Sequence, residues 1–240
     1  MLQGPFDIGQ VDVGTILLSP TSRVPGTTVS ITNLRAPKSA QKAVERAQKA
    51  LQKSNFAESE KNLQMAVGIY PDYAFAWLTL GRVYQQQARN EEARKAYSAA
   101  IAADDKYVNS YIGLAQLAGI ERNWQEMADI TDRALALDPL DLPEGYYYNS
   151  LAYYNLKKLD IAERSAWKAQ GLDGLHRYPL VHLMLANMLE RKQDSAGAID
   201  QLQKYLKFAP QAKDAEQVRA RLEELQKSAK LLADKDPVRP

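Results

Sequence analysis

The residue types that most often perform catalysis or bind metals are scarce in this chain of 240 residues. Only two histidines occur, His176 and His182, and cysteine is absent. Because the histidines are six residues apart, they do not have the i, i+4 spacing of a helical metal pair. Without cysteine there is no thiol nucleophile, disulfide or Cys-zinc site. We therefore expect no catalytic residue, no metal site and no cofactor.

Carboxylates and phosphate-binding loops give no stronger signal. Asp104 and Asp105 precede Lys106 near a predicted helix end, a pattern typical of a solvated turn that lacks the EF-hand spacing. The sequence contains no G-x-x-x-x-G-K-[ST], G-x-G-x-x-G, H-E-x-x-H or G-x-S-x-G motif. The sequence therefore predicts a protein that is not an enzyme.

A tyrosine-rich run, GYYYNSLAYYNL at 145–156, is the feature that most invites a functional explanation. Its five tyrosines are compatible with a packed core, an exposed docking surface or a stacking platform. The elements that position these side chains must decide between these roles, because each helix or strand period sends a different subset of them to one face.

Composition narrows the class of protein. Apolar residues make up 45% and charged residues 25%, with a net charge of +2 spread along the chain, which is ordinary for a soluble globular protein. The basic residues do not cluster into a patch that would indicate nucleic-acid binding. No apolar run is long enough to insert into a membrane.

The first 38 residues differ from the rest. The β-branched segments VDVGTILL (11–18) and TTVSITN (27–33) predict two strands. Pro20, Pro25 and Gly26 mark a loop between them. From Ser39 onward the chain is rich in Ala, Leu, Gln, Glu and Lys, which favours helices.

A repeated pattern organises the helical part. In residues 74–107 the spacing W-x2-L-G-x2-Y is followed by A-x3-Y-x2-A. These positions form one apolar stripe on each of two consecutive helices, and the two stripes face each other. The pattern resembles the tetratricopeptide repeat, which has a period of 34 residues.

The resemblance extends along most of the chain. It implies an all-α, right-handed α-solenoid of about five tetratricopeptide repeats, closed by a C-terminal capping helix and preceded by a short β segment. The predicted boundaries are 1–38 for the β segment and linker, 40–73, 74–107, 108–141, 143–176 and 179–212 for the repeats, 213–232 for the capping helix and 233–240 for a flexible tail.

In this repeat family the first helix of each repeat lines a concave groove that binds partners. The matching positions in this sequence mix apolar and aromatic residues with amides such as Gln85 and Gln86, and Ile120 is also among them. The predicted partner-binding residues are Phe75, Leu78, Arg82, Ile112, Gln116, Tyr147, Leu151, Tyr154 and Asn187.

This assignment divides the tyrosine run, placing Tyr146 and Tyr153 in the core. Some members of this family bind the C-terminus of a chaperone through lysines, but none of the matching positions in this sequence is a lysine.

The leading interpretation is a non-catalytic scaffold that binds a protein or peptide partner in this groove. One alternative is a structural spacer or self-associating module of a larger envelope protein. A second is the targeting arm of an enzyme whose catalytic domain lies outside this chain. The N-terminal segment resembles the end of an Ig-like or carboxypeptidase-regulatory-like domain, which favours a bacterial periplasmic or secreted protein, with the cytoplasm as the alternative.

Overall fold

The computed structural model describes residues 30–235, with side chains to residue 231. The described residues form helices joined by short connections and contain no strand. The helices are α1 (Ile31–Arg35), α2 (Lys38–Gln52), α3 (Phe56–Ile69), α4 (Ala74–Gln86), α5 (Asn90–Ala103), α6 (Val108–Ile120), α7 (Trp124–Leu137), α8 (Pro143–Asn155), α9 (Leu159–Leu172), α10 (Leu180–Arg191), α11 (Ser195–Phe208) and α12 (Ala215–Lys235).

The helices pack as hairpin pairs in chain order. The pairs are α2 with α3, α4 with α5, α6 with α7, α8 with α9 and α10 with α11, and α12 packs on α11. Each pair also contacts the next, so the pairs stack into an elongated array. This arrangement confirms the predicted α-solenoid for the described part of the chain.

The two layers of the array are not equally close-packed. The first helices of neighbouring pairs touch one another directly, α4 with α6, α6 with α8 and α8 with α10. Between residues 30 and 235, the second helices make no comparable contact with each other. The first helices therefore form the tighter, inner layer, and their solvent-facing side is the inner face of the solenoid.

The turn inside each pair has the same backbone geometry. Ser54, Ala88, Arg122, Lys157 and Gln193 have positive φ angles between 54° and 63°. Successive steps from residue 54 to 88, 122, 157 and 193 are 34, 34, 35 and 36 residues. A residue in the left-handed backbone conformation ends a helix and lets the chain reverse. One such residue in each pair therefore sets the angle between the first helix and the second.

The core runs continuously between the layers, and small residues let it form. Leu63, Leu80 and Leu117 are almost fully buried. The second helices contribute mainly alanines, and these include Ala66, Ala93, Ala100, Ala134, Ala162 and Ala198. Because an alanine side chain projects so little, helices can approach each other closely without leaving gaps.

The predicted N-terminal strands are not supported by the structure. Segment 11–18 and residues 27–29 lie outside the described residues, and the prediction is wrong for Ile31–Asn33, which belong to helix α1. The Ser30 side chain caps this helix by accepting a hydrogen bond from the Thr32 backbone N–H, and contacts with α4 hold it. Tertiary contacts therefore override the β propensity of this stretch.

The C-terminal prediction needs a smaller correction. The capping helix extends through Lys235, so the predicted tail of 233–240 begins in helix. Residues 236–240 lie outside the described residues.

Candidate functional site

The predicted groove residues all lie on first helices of the pairs and fall into three groups by burial. Arg82 and Gln116 are exposed. Five others are partly buried, and these are Phe75, Tyr147, Leu151, Tyr154 and Asn187. The remaining two, Leu78 and Ile112, are 1% and 4% exposed and belong to the core.

The burial of Leu78 and Ile112 removes them from the candidate surface. They lie on α4 and α6, which pack directly against each other. Side chains that face a neighbouring first helix are covered by it. Their assignment as partner contacts is therefore a correction: they stabilise the inner layer instead.

Tyr147 is covered by its own chain. Its ring stacks on that of Tyr178 with centroids 5.1 Å apart and planes 19° apart, and it also meets Tyr148 at 5.1 Å. Tyr178 comes from the seven-residue connection between α9 and α10, where its backbone N–H donates to Asp173 Oδ2 at 2.8 Å. This longer connection folds back onto the inner face and fills the space beside Tyr147.

The electrostatics of the aromatic cluster agree with its packing. Burial raises the pKa of Tyr147. Burial also raises the pKa of Tyr148 and Tyr178, and the negative charge of Glu144 raises both further. All three phenols are therefore neutral at physiological pH, and the cluster is a packed aromatic unit.

Helix α10, the first helix of the fifth pair, accepts side-chain hydrogen bonds from α12. The Arg221 Nη2 group donates to Asn187 Oδ1 at 2.6 Å, and its Nε donates to Glu190 at 2.9 Å. Asn187 Nδ2 in turn donates to the Tyr154 hydroxyl at 3.4 Å. These groups surround a polar recess of about 410 Å³. Tyr154 and Asn187 are therefore partly committed to internal contacts.

The described residues leave the inner face open over α4 and α6. Arg82, Gln86 and Gln116 are exposed, and Ile120 is 57% exposed. None of the three polar side chains forms a hydrogen bond or ion pair with the described residues, in contrast to Asn187 and Glu190 farther along. We call these four residues the open inner face. Gln86 and Ile120 occupy groove positions of the repeat pattern, although the nine predicted residues did not include them.

The two histidines have structural surroundings. His182 is 5% exposed, and its Nδ1 lies 2.8 Å from Gln201 Oε1. Burial lowers the pKa of His182. The His176 ring stacks on Phe208 with centroids 3.7 Å apart. Within residues 30–231, no group of three or more His, Asp or Glu side chains is arranged to hold a metal ion.

A buried polar network joins α7, α8 and α9. Asn149, which is 2% exposed, donates to Thr131 Oγ1 at 3.0 Å and to Asp132 Oδ1 at 2.7 Å. It accepts a hydrogen bond from Ser165 at 2.6 Å, and Tyr153 donates to Asp132 at 2.6 Å. Because each of these groups has a hydrogen-bond partner, the network ties neighbouring helix pairs together.

None of the helices in the described part of the chain combines the length and the apolarity needed to cross a bilayer.

Solved structures of several bacterial proteins share this fold. A Pseudomonas aeruginosa PilF structure matches with a TM-score of 0.70 and 18% identity, covering 84% of this chain and 94% of that one. PilW, described as a type IV pilus biogenesis factor, matches with a TM-score of 0.67 and 15% identity, covering 85% and 96%. A tetratricopeptide repeat protein from Parabacteroides merdae matches with a TM-score of 0.64 and 18% identity, covering 84% and 79%.

These likenesses establish the fold, an α-solenoid of the tetratricopeptide type. No protein-family model matches the sequence, and no curated protein matches it. At 15–18% identity, structural likeness does not transfer a partner or a pathway, because one fold serves many functions.

Proposed function

We propose that this protein is a non-catalytic scaffold that binds a partner protein through the open inner face. The observation that carries the proposal is the contrast along this face. Over α8 and α10, the inner side chains are engaged by Tyr178 and Arg221 of the same chain. Over α4 and α6, the polar side chains are exposed and make no hydrogen bond or ion pair with the described residues.

The chemistry of this surface favours an extended peptide segment as the ligand. Gln86 and Gln116 each offer a donor and an acceptor, the combination that matches the peptide backbone. Arg82 has no carboxylate partner among residues 30–231 and suits an acidic side chain. Ile120 adds an exposed apolar contact. We therefore expect a partner segment that carries an acidic residue within a few positions of an apolar one.

The distance between neighbouring first helices also fits an extended peptide. Neighbouring packed helices are about 8–10 Å apart, and an extended chain advances about 3.3 Å per residue. Two or three partner residues therefore separate contacts on α4 from contacts on α6. Backbone hydrogen bonds to the two glutamines supply affinity, while Arg82 and Ile120 supply selectivity.

The proposal is tested by partner capture from the native source with the tagged full chain. We expect Arg82→Glu combined with Gln116→Ala to reduce recovery of the specifically bound protein at least about tenfold, as loss of a central charged contact does. The matched control is Arg164→Glu combined with Gln203→Ala, which changes exposed residues on the second helices α9 and α11.

Circular dichroism should show the same helicity for both variants, because neither changes a buried side chain. Recovery that falls equally in both variants, or in neither, would contradict binding at the open inner face.

A further inference from the structure

The polar recess lies where α8, α10 and α12 come together. Its volume is about 410 Å³, and it is lined by Tyr154, Asn187, Glu190, Arg191 and Arg221. Arg221 belongs to the capping helix, so the recess needs α12 as well as the helix pairs. All five lining side chains are polar or carry a polar tip, which suits a polar or charged ligand.

Hydrogen bonds hold four of these side chains in fixed positions. The Arg221 guanidinium donates from Nε to Glu190 Oε1 at 2.9 Å and from Nη2 to Asn187 Oδ1 at 2.6 Å. The Asn187 amide donates in turn to the Tyr154 hydroxyl at 3.4 Å. These contacts join all three helices and preorganise the recess, because a side chain that is already held loses little freedom when a ligand binds.

Several donor groups of the recess remain without a partner after these contacts are made. Within residues 30–231, Arg221 Nη1 has no hydrogen-bond partner, and the Tyr154 hydroxyl accepts one bond and donates none. Arg191 is exposed, and its guanidinium makes no hydrogen bond or ion pair with the same residues. A guanidinium carries donors and no acceptor, so a ligand that pairs with these groups must offer acceptors.

The charges of the recess favour a ligand with one negative charge. The Arg221 guanidinium is balanced by the Glu190 carboxylate, which lies 2.7 Å from its Nη2. Arg191 has no such partner among the described residues, so one positive charge is left uncompensated. A dianion such as phosphate would bring a second negative charge close to Glu190, and like charges at short range repel each other. A carboxylate supplies acceptor oxygens and a single charge, which meets both requirements.

We propose that this recess binds the carboxylate of an aspartate or glutamate side chain of a partner protein through Arg191, Arg221 Nη1 and the Tyr154 hydroxyl. Charge-assisted hydrogen bonds of this kind are about twice as strong as those between neutral groups. Binding leaves the contacts that hold Arg221 in place. The recess lies on α8, α10 and α12 and the open inner face on α4 and α6, so the inference does not rest on the function proposed above.

The test uses the full chain and two short probe peptides, acetyl-Ala-Glu-Ala-amide and acetyl-Ala-Gln-Ala-amide, which differ only in the carboxylate. Binding is followed by NMR through the Nε–H signal of Arg221 in isotope-labelled protein. This signal is identified by its loss in Arg221→Lys, and it reports on the recess and not on the open inner face. We expect the Glu peptide to bind at least about tenfold more tightly than the Gln peptide at low ionic strength, where screening is weak.

The decisive variant is Arg191→Gln, which removes the uncompensated charge and leaves the hydrogen bonds of Arg221 intact. The preference for the Glu peptide should fall below about threefold in this variant, and Arg191→Lys, which keeps the charge, should restore part of it. The matched control is Arg164→Gln. Arg164 is an exposed residue of α9 that makes no hydrogen bond or ion pair with residues 30–231, so its loss should leave the preference unchanged.

Three results would overturn the proposal. Equal binding of the two peptides to the parent chain would mean that the recess does not select a carboxylate. An undiminished preference in Arg191→Gln would place the bound carboxylate elsewhere. Tighter binding of acetyl-Ala-phosphoserine-Ala-amide than of the Glu peptide would contradict the charge argument and assign the recess to phosphate. Equal melting temperatures of the parent chain and the Arg191 and Arg164 variants would confirm that the comparison reports binding and not folding.

Discussion

At the scale of single residues, the tight packing of the array depends on Tyr97. Its side chain is fully buried, and its hydroxyl donates to Gln85 Oε1 at 2.6 Å. A Cβ atom on Gly81 would lie 2.5 Å from the Tyr97 ring, and one on Gly113 would lie 2.7 Å from it. The tyrosine therefore occupies a slot between α4 and α6 that exists because two glycines lack side chains.

The residue-scale prediction is that Gly81→Ala lowers the free energy of unfolding by about 1–3 kcal/mol, the usual effect of overpacking a core. The new methyl group would clash with a ring that is enclosed on its other side and cannot move away. Urea denaturation measured by circular dichroism gives the change.

The control for this substitution is Gly68→Ala. Gly68 lies within α3, and a Cβ there would meet nothing within 4 Å. Alanine is the better helix former, so this variant should gain about 0.5–1 kcal/mol. A Gly81→Ala variant as stable as the parent chain would show that Tyr97 is not confined as described.

At the scale of elements, the helix pairs depend on their turns. Five turns carry a residue with φ between 54° and 63°, and none of these residues is glycine. For an L-residue with a side chain, this conformation costs about 1–2 kcal/mol. Each turn therefore holds a modest strain that packing of the pair compensates.

The element-scale prediction is that Ala88→Gly raises the free energy of unfolding by up to about 1 kcal/mol, because glycine adopts a positive φ without the Cβ clash. Ala88 is exposed with φ 56°, so no buried contact is lost. Urea denaturation again measures the change.

The matched control is Ala220→Gly in α12, where the exposed alanine is helical. This change should lower stability by about 0.5–1 kcal/mol. If both substitutions destabilise the protein to the same extent, the strain assigned to the turn at Ala88 is absent.

At the scale of the whole molecule, the core has two parts. One continuous cluster runs from Ala36 to Met188. A second cluster at the C-terminal end contains Ala186, Leu202, Tyr205 and Val218, with Leu222 packed against it. Val218 and Leu222 come from α12, so this helix supplies the last layer of a stack in which each unit is stabilised by its neighbours.

The prediction at this scale is that a chain ending at residue 212 loses order at its end and not throughout. Without α12, Leu202 and Tyr205 lose their cover, and a solenoid propagates such a defect only to adjacent units. Hydrogen exchange followed by mass spectrometry should show lost protection in α10 and α11, with protection in α4 to α7 unchanged.

A chain ending at residue 226 is the control, because it retains Val218 and Leu222 and should keep native protection in α11. Uniform loss of protection across the shorter chain would mean that the array unfolds as one cooperative unit.

Several features of the fold followed from the sequence alone because they depend on local periodicity. The apolar stripes of residues 74–107 predicted a pair of facing helices, and the structure has α4 and α5 there. The same register separated Tyr153, which is 8% exposed, from Tyr154, which is partly buried on the inner face. Spacing within one helix was sufficient to sort these side chains.

The candidate site could be predicted only in part. Arg82 and Gln116 are exposed on the inner face, but Leu78 and Ile112 are buried there by neighbouring first helices. Helical periodicity separates the faces of one helix and does not report how closely the next helix approaches. The nine predicted residues therefore mixed surface and core positions.

The sequence by itself determined the repeating helix pairs, because their apolar periodicity is encoded within a few turns of chain, and the scarcity of catalytic residue types, because composition alone fixes it. Tertiary structure decided which part of the inner face the described residues leave open. Tyr178 covers Tyr147 from 31 residues away, and Arg221 reaches Asn187 from 34 residues away. Such contacts depend on how the pairs stack and on one longer connection, and local spacing carries no record of either.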